Sequence, residues 1–508
     1  MINPPRDEFL ARYADPSVIA ASLGDRRTVL VPVWREILFD TETAVTAYAK
    51  IVEPPFGFLL ESVVGGETWA RFTFLGTEPK EAWRILSDGA IERWTRDAGW
   101  GRKEKLGDPF DALNDRLRAV HVEPAAGLPR FVGGAVGFLG YDMVRHIERL
   151  PSAPPDDRNL PDAIILFTDT IIAIDNLLGR ARIITLVDIP DPPFSSMLEQ
   201  SYDLGVARID AILERLRNRL APPPLQLKDA DQDARFTSSS TRQQYENGVQ
   251  RIRDYIAAGD VFQVVLSHRL SVPLEASPFD LYRALRSFNP SPYLYYLELD
   301  GLTLVGSSPE VLVRVEQGRV FLRPIAGTRA RGRDAEDDAA RAEDMLNDEK
   351  ERAEHLMLVD LGRNDVGRVA RYGTVRVPEY MKVETYSHVL HLVSQVEGEL
   401  RAELNAVDVL RACFPAGTVS GAPKVRAMEI IDELEPRRRG PYAGAVGYIG
   451  YGAESLDTAI AIRTLVAIGG DAYIQVGAGI VADSVPALEY EETLSKARVL
   501  LRVLRSIR

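Results

Sequence analysis

Two pairs of glutamates are spaced to act together. Glu351 with Glu354, and Glu489 with Glu492, stand three residues apart in stretches that read as helices, so each pair shares one helical face. Lys496 follows four residues after Glu492 on the same stripe. Oxygen ligands from two helices suit Mg²⁺, which keeps several waters and takes further ligands from a substrate. A solvated acidic face is the plainer reading of either pair. The segment Phe414 to Lys424 is a glycine-rich loop opening a helix, with Ser420 placed to cap it and Pro423 in its first turn. Its amides, like those of Gly477-Ala478-Gly479 at a strand end, either favour an anion or make a tight turn. The Gly-Lys-Ser/Thr ending of a nucleotide loop is missing. Arg463 falls inside an apolar strand, Ala459 to Ala467, and needs an anion from the protein or from a ligand, because unpaired burial is costly. His391 shares a strand face with Val389 and Val393, where a hydrogen-bonded core role competes with a catalytic one. Cys413, the one cysteine, ends an apolar helix without a nucleophile elbow and reads as a buried filler thiol.

The elements that must position these residues change character along the chain. Thr28 to Trp34, Gly57 to Val64, Trp69 to Leu75, Ile164 to Ile174 and Ala181 to Val187 read as strands, and Ser195 to Leu220 as a helix ending at three prolines. That Pro222-Pro223-Pro224 run and the polar stretch after it divide the sequence into 1–220, a linker at 221–240, and 241–508. Beyond the linker, Thr241 caps a helix that Gly259 ends, strands follow at 261–267, 302–305, 310–315 and 319–323, and one charged helix runs from Asp334 to about Leu361. Strands at 443–451, 457–468 and 472–481 precede a last helix from Pro486 to Arg505.

Composition narrows the function classes. With 508 residues, 45% apolar and 27% charged, the chain has the make-up of a globular enzyme of two or three domains. A net charge of −13 argues against nucleic acid or an anionic membrane as partner. No run of apolar residues is long enough to span a bilayer, and the start lacks a signal-peptide core, so a cytoplasmic protein is expected. A single cysteine excludes a disulfide framework. Gly134-Ala135-Val136-Gly137-Phe138-Leu139-Gly140-Tyr141 recurs as Gly444-Ala445-Val446-Gly447-Tyr448-Ile449-Gly450-Tyr451, marking either related strands in two halves of one scaffold or chance convergence of glycine-rich strands.

Taken in order, Gly259 to Ser267, Pro324 to Gly332, Glu354 to Asp365, Ser387 to Ser394, Gly417 to Met428 and Gly477 to Ser484 closely resemble the motifs of the chorismate-utilising enzymes, most of all the anthranilate-forming large subunits. The resemblance covers nearly all of 240–508; in the first half it rests chiefly on Leu59-Leu60-Glu61-Ser62. It implies an α+β fold: a large sandwich of antiparallel sheets flanked by helices, with the echoed strands completing the same sheets. It also implies Mg²⁺ at Glu351, Glu354, Glu489 and Glu492, with Glu354 and Glu492 as direct ligands. Chorismate would be held by Gly327, Thr328, Tyr442, Arg463 and the amides of Gly477, Ala478 and Gly479, with Lys496 as a second cation. Glu310 matches the acid for the departing C4 hydroxyl, His391 the histidine of pyruvate loss, and Thr418 a partner near the C4 hydroxyl.

Two positions discriminate among relatives. Where water-adding members carry Lys this chain has Gln263, and where aminodeoxychorismate synthases commonly carry a nucleophilic Lys it has Ala326. The resemblance therefore implies ammonia addition at C2 and an anthranilate product. The alternatives are an aminodeoxychorismate synthase or a non-catalytic protein of the same fold. Leu60, Glu61, Ser62, Asn289, Pro292, Tyr293 and Leu294 resemble a tryptophan feedback site. With no catalytic cysteine and no room for a glutaminase domain, ammonia is expected from a glutamine amidotransferase partner.

Overall fold

The structure, a computed structural model, describes all residues except 24–25, 63–70, 192, 229–232, 386–388 and 508, and all of their side chains except those of Ala20 and Thr328. The strand ends expected at 63–64 and 69–70, part of the linker, and the start of the Ser387 motif lie outside the described residues. Among those described, the strands form two large sheets, antiparallel apart from the pairing of Thr28–Leu38 with Val120–Val122.

The sheets stack face to face. Alternate residues of each strand enter the layer between them, as Phe58, Leu297, Val136 and Ile164 do, while their neighbours Leu59, Tyr296 and Leu294 face helices on the outside. Burying a side chain such as Leu297 contributes about 1.5–3 kcal/mol, so this alternation fixes which face of each strand points inward. The helix Pro486–Ser506 covers one sheet; Glu349–Gly367 lies on Val389–Glu399 of the other.

Both sheets draw on both sides of the linker. Phe56–Glu61 pairs with Tyr293–Leu299, and the echoed segments pair with each other, Gly137 opposite Gly447 and Val136 opposite Tyr448. The echo is the visible part of a wider duplication. Thr28–Leu38 against Arg180–Ile189 and Gln263–Pro273 against Asp471–Ile480 repeat one register: Trp34–Ile184, Pro32–Leu186 and Leu30–Asp188 correspond to Arg269–Gln475, Ser267–Gly477 and Val265–Gly479.

The chain also steps between sheets more often than its apolar pattern suggests. The expected strand Ile164 to Ile174 is two strands, Ala163–Thr168 in one sheet and Thr170–Asp175 in the other, broken at Asp169. The expected strand 457–468 likewise divides into Leu456–Ile460 and Thr464–Ile468. Arg463 therefore lies in a crossover, not within a strand, and has a left-handed backbone (φ 51°). The charged stretch 334–361 is two helices, Ala335–Asn347 and Glu349–Gly367, because Asp348 turns out of helical geometry and accepts from the amides of Lys350 and Glu351 to cap the second.

Candidate active site

The crossovers bring the charges together. Glu310 sits where the chain passes from Leu302–Ser308 in one sheet to Val311–Glu316 in the other, and Arg463 sits at the matching step between Leu456–Ile460 and Thr464–Ile468. Backbone bonds join the two steps: Ile460 N–H donates to the Glu310 carbonyl (3.0 Å) and Ser307 N–H to the Arg463 carbonyl (3.2 Å). Between the sheets lies a cavity of about 260 Å³, lined by Glu310, Ala326, Gly327, His391, Thr418, Tyr442, Arg463, Gln475, Gly477, Gly479, Glu492 and Lys496 among others.

Each polar group there has a physical setting. Burial is the largest influence on Glu310 and pushes its carboxyl above the ordinary range, while Thr418, Lys496 and Arg463 pull it back. Thr418 Oγ1, though buried, makes no well-formed hydrogen bond of its own. His391 Nδ1 lies 2.8 Å from the Gly327 carbonyl; a carbonyl only accepts, so Nδ1 carries the hydrogen and Nε2 is the basic atom of the neutral ring. Burial holds the imidazole below its usual range. Gly327 has φ 67° at a bulge, and a side chain on it would meet Glu351 Oε2 at 2.8 Å, so glycine is required to turn that carbonyl toward His391. Burial also lowers Arg463 and raises Tyr442 to about 12. Arg463 Nη1 donates to the Lys496 carbonyl and Lys496 Nζ to the Gly477 carbonyl, both at 2.9 Å, which fixes the two cations on one wall.

The four glutamates stand on two helices, Glu351 and Glu354 on Glu349–Gly367, Glu489 and Glu492 on Pro486–Ser506. Burial raises Glu354, and the charges of Glu351, Glu489 and Glu492 raise it further against the pull of Lys350. Burial raises Glu489 as well. Glu351 is bound to Arg329 (2.7 Å) and Glu492 to Lys496 (2.8 Å). Among the described residues no three His, Cys, Asp or Glu side chains converge to cage a metal. The set fits a hard cation that takes a few carboxylate oxygens and completes its shell from water and substrate, as Mg²⁺ does.

Other expected residues are placed differently. Ala478 is fully buried in the hydrophobic core, since strand alternation turns it away from Gly477 and Gly479. Gln263 is not part of the lining, but its amide lies against Gly479, where a Cβ would come within 2.2 Å of Nε2. Thr328 pairs through its backbone with His391; its side chain lies outside the described residues. Ser420 is not a helix cap. The turn at Gly421–Ala422 pairs with Gln263–Val264, the helix begins only at Lys424 with Pro423 before it, and Ser420 Oγ donates to the Ala416 carbonyl.

The segments read as a tryptophan site are adjacent: Leu294 pairs with Glu61 and Tyr295 with Leu60. Ser62 Oγ is buried without a partner among the described residues, Glu61 accepts from Tyr282 (2.5 Å) and Arg286 (3.0 Å), and Tyr293 donates to Asp457 (2.9 Å). Pro292 is half-buried beside them.

Comparison with known proteins gives the family. Residues 73–502 match the family described as chorismate binding enzyme. The chain belongs to the chorismate-binding enzymes. It is 48% identical over 501 residues to anthranilate synthase component 1 of Pseudomonas aeruginosa, covering 98% of each chain, and 48% identical over 472 residues to that of Thermus thermophilus, covering 93% of this chain and 97% of the relative. Its structure is similar to anthranilate synthase component I of Streptococcus pneumoniae, with a TM-score of 0.75 at 38% identity over 92% of this chain and 99% of the other. The fold is shared with the isochorismate synthase MenF of Escherichia coli, TM-score 0.67 at 18% identity, over 98% of this chain and all of the other. Within this chorismate-binding enzyme, residue types alone did not single out Gln475, Ser267, Glu435 or Arg439. Their arrangement depends on contacts across the fold, and the register shared by the two halves is the signal that exposes them.

Proposed function

We propose that this chain is the large subunit of an anthranilate synthase: it aminates chorismate at C2 with ammonia and eliminates pyruvate. The observation that carries the reading is one cavity lined by Glu310, raised by burial, by His391, held neutral, by the cations Arg463 and Lys496, and by an alanine at 326. Arg463, Lys496 and Tyr442 bind the substrate's carboxylates. Glu310, holding its proton, gives it to the C4 oxygen as that bond breaks and ammonia closes on C2. His391 Nε2 takes the C2 hydrogen as the C3–O bond breaks and the ring becomes aromatic. Glu354 and Glu492, with Glu351 and Glu489 as further carboxylates, would hold Mg²⁺, which would supply positive charge against the ring carboxylate. Ala326 offers no nucleophile, which favours direct addition of ammonia.

Ammonia comes from a glutamine amidotransferase subunit, and tryptophan inhibits through Ser62 and the strand at Tyr293. No helix among the described residues is long and apolar enough to cross a membrane. The test is fluorescence of anthranilate formed from chorismate, Mg²⁺ and an ammonium salt. Wild-type protein should produce it, and Glu310→Gln should not; no fluorescent product from the wild type overturns the reading.

A further inference from the structure

Gln475 stands in the strand Asp471–Ile480 two residues before Gly477, on the face that forms the cavity wall, and is 8% exposed. Which end of its amide faces the cavity follows from a chain of bonds behind it. Arg439 and Glu435, each with a side chain 1% exposed, pair at 2.6 Å, and Arg439 also donates to the carbonyls of Val265 and Val419 in the cavity wall. Glu435 Oε1 accepts from the Ser267 N–H (2.8 Å) and from the Ser267 hydroxyl (2.7 Å). With its one hydrogen spent on Glu435, Ser267 Oγ can only accept from Gln475, at 2.9 Å. The amide must therefore present Nε2 to Ser267. Its Oε1 points the other way, buried and without a partner.

The duplicated half shows that the fold itself does not call for this amide. In the equivalent register Gln475 corresponds to Ile184 and Ser267 to Pro32, so the bond between them has no counterpart; Ile184 is fully buried among apolar side chains. Gly477 corresponds to Leu186; a side chain on Gly477 would come within 2.9 Å of the Tyr442 hydroxyl, which lines the cavity.

An unpartnered amide oxygen accepts hydrogen bonds and takes up no proton. It repels the carboxylates and ether oxygen of chorismate. The reactant groups with hydrogens to give are ammonia and the C4 hydroxyl, and the proposed reaction places the hydroxyl at Glu310. We infer that the Gln475 amide oxygen is a binding residue for the ammonia nucleophile. The inference rests on the ammonia-dependent reading above. An acceptor on an N–H group leaves the nitrogen lone pair for the ring; ammonia attacks without prior deprotonation, and the ammonium group formed at C2 then releases its extra proton to solvent.

The experiment is steady-state kinetics with chorismate, Mg²⁺ and ammonium chloride at fixed pH, on wild type, Gln475→Met and Ser267→Ala. Met keeps the side-chain length without an acceptor; Ser267→Ala leaves the amide in place but free to turn. The KM for ammonium should rise roughly five- to tenfold in Gln475→Met and by less in Ser267→Ala, with the KM for chorismate unchanged. Gln475→Leu, if Met does not fold, should behave likewise. A rise in the chorismate KM with the ammonium KM unmoved, or no change in either, overturns the inference while leaving the proposed reaction intact. A wild type that forms no anthranilate from ammonium overturns both.

Discussion

Asn289 and Ser307 are joined by two hydrogen bonds: Asn289 Nδ2 donates to Ser307 Oγ at 2.9 Å, and Ser307 Oγ donates to the Asn289 carbonyl at 2.6 Å. Ser307 is three residues before Glu310 and its own N–H is held by the Arg463 carbonyl. The segment proposed to bind tryptophan is thus tied directly to the backbone that sets the cavity charges. Tryptophan can inhibit from there only by preferring a state that binds chorismate less well. Ser62→Arg, which fills the space beside the unpartnered Ser62 hydroxyl, should keep ammonia-dependent activity while the tryptophan concentration for half-inhibition rises by at least about tenfold. Equal inhibition of both proteins would place tryptophan elsewhere.

The pH profile should carry two signatures. In the proposed reaction Glu310 acts in its protonated form, and burial holds it above the carboxylate range, so activity should fall as pH rises through its raised pKa. His391 acts in its neutral form and is held below the imidazole range, so its limb should fall as pH drops through the lowered value. Measured at constant free ammonia, turnover should therefore pass through a maximum. Glu310→Gln should lose on the order of a hundredfold or more in turnover together with the alkaline limb. An alkaline limb that survived this substitution would assign the acid to another group.

Glu354→Ala and Glu492→Ala should each lower turnover by on the order of a hundredfold and raise the Mg²⁺ concentration needed for half-maximal rate. Glu354 is raised by burial and further by its acidic neighbours, so Glu354→Ala should not melt earlier than wild type, whereas Glu492→Ala also loses its pair with Lys496. If both variants turned over normally at limiting Mg²⁺, these acids would be an ordinary solvated face.

What could be read in the residues divides by how local its cause is. The helix opened by Thr241 was legible because its capping box with Gln244 is closed within four residues. The sheet crossings at Asp169 and Arg463 were not: buried apolar runs lie on both sides of a polar break only two or three residues long, so each pair of strands reads as one. Those crossings are where the two halves diverge in function. Asp169-Thr170 in one half corresponds to Arg463-Thr464 in the other, and Pro79-Lys80 to Pro309-Glu310. In the first half the counterpart charges, Lys80 and Asp169, pair at 3.6 Å. In the second half Glu310 and Arg463 face the cavity, where a substrate can be received.

The proposed reaction makes Ala326 the residue that sets the product. It lines the cavity beside Gly327 with no group that could attack C2. The ammonia reaction should yield 2-aminobenzoate, identified by mass and fluorescence, and 4-amino-4-deoxychorismate as main product would contradict the assignment. Ala326→Lys should cut anthranilate formation by about tenfold or more, since an amine at that wall competes with ammonia for C2 and adds a cation next to Arg463.

Glutamine alone should not support the reaction. Releasing ammonia from an amide by nucleophilic catalysis on sulfur needs an accessible thiolate next to a base. The chain's one cysteine, Cys413, is 1% exposed at the end of the helix Ala406–Cys413, and burial, reinforced by the charge of Asp365, drives its thiol far above the range in which a thiolate forms. Its nearest charged groups, Asp365 and Lys424, are bound to each other at 2.8 Å. Purified alone, the protein should form anthranilate from ammonium salts, faster at raised pH where more free ammonia is present, and none from glutamine. Adding a glutamine amidotransferase subunit should restore the glutamine reaction, and Cys413→Ser should leave the ammonia reaction within about twofold of wild type. Glutamine-dependent turnover by the isolated chain that disappears in Cys413→Ser would make this buried thiol the nucleophile and remove the need for a partner.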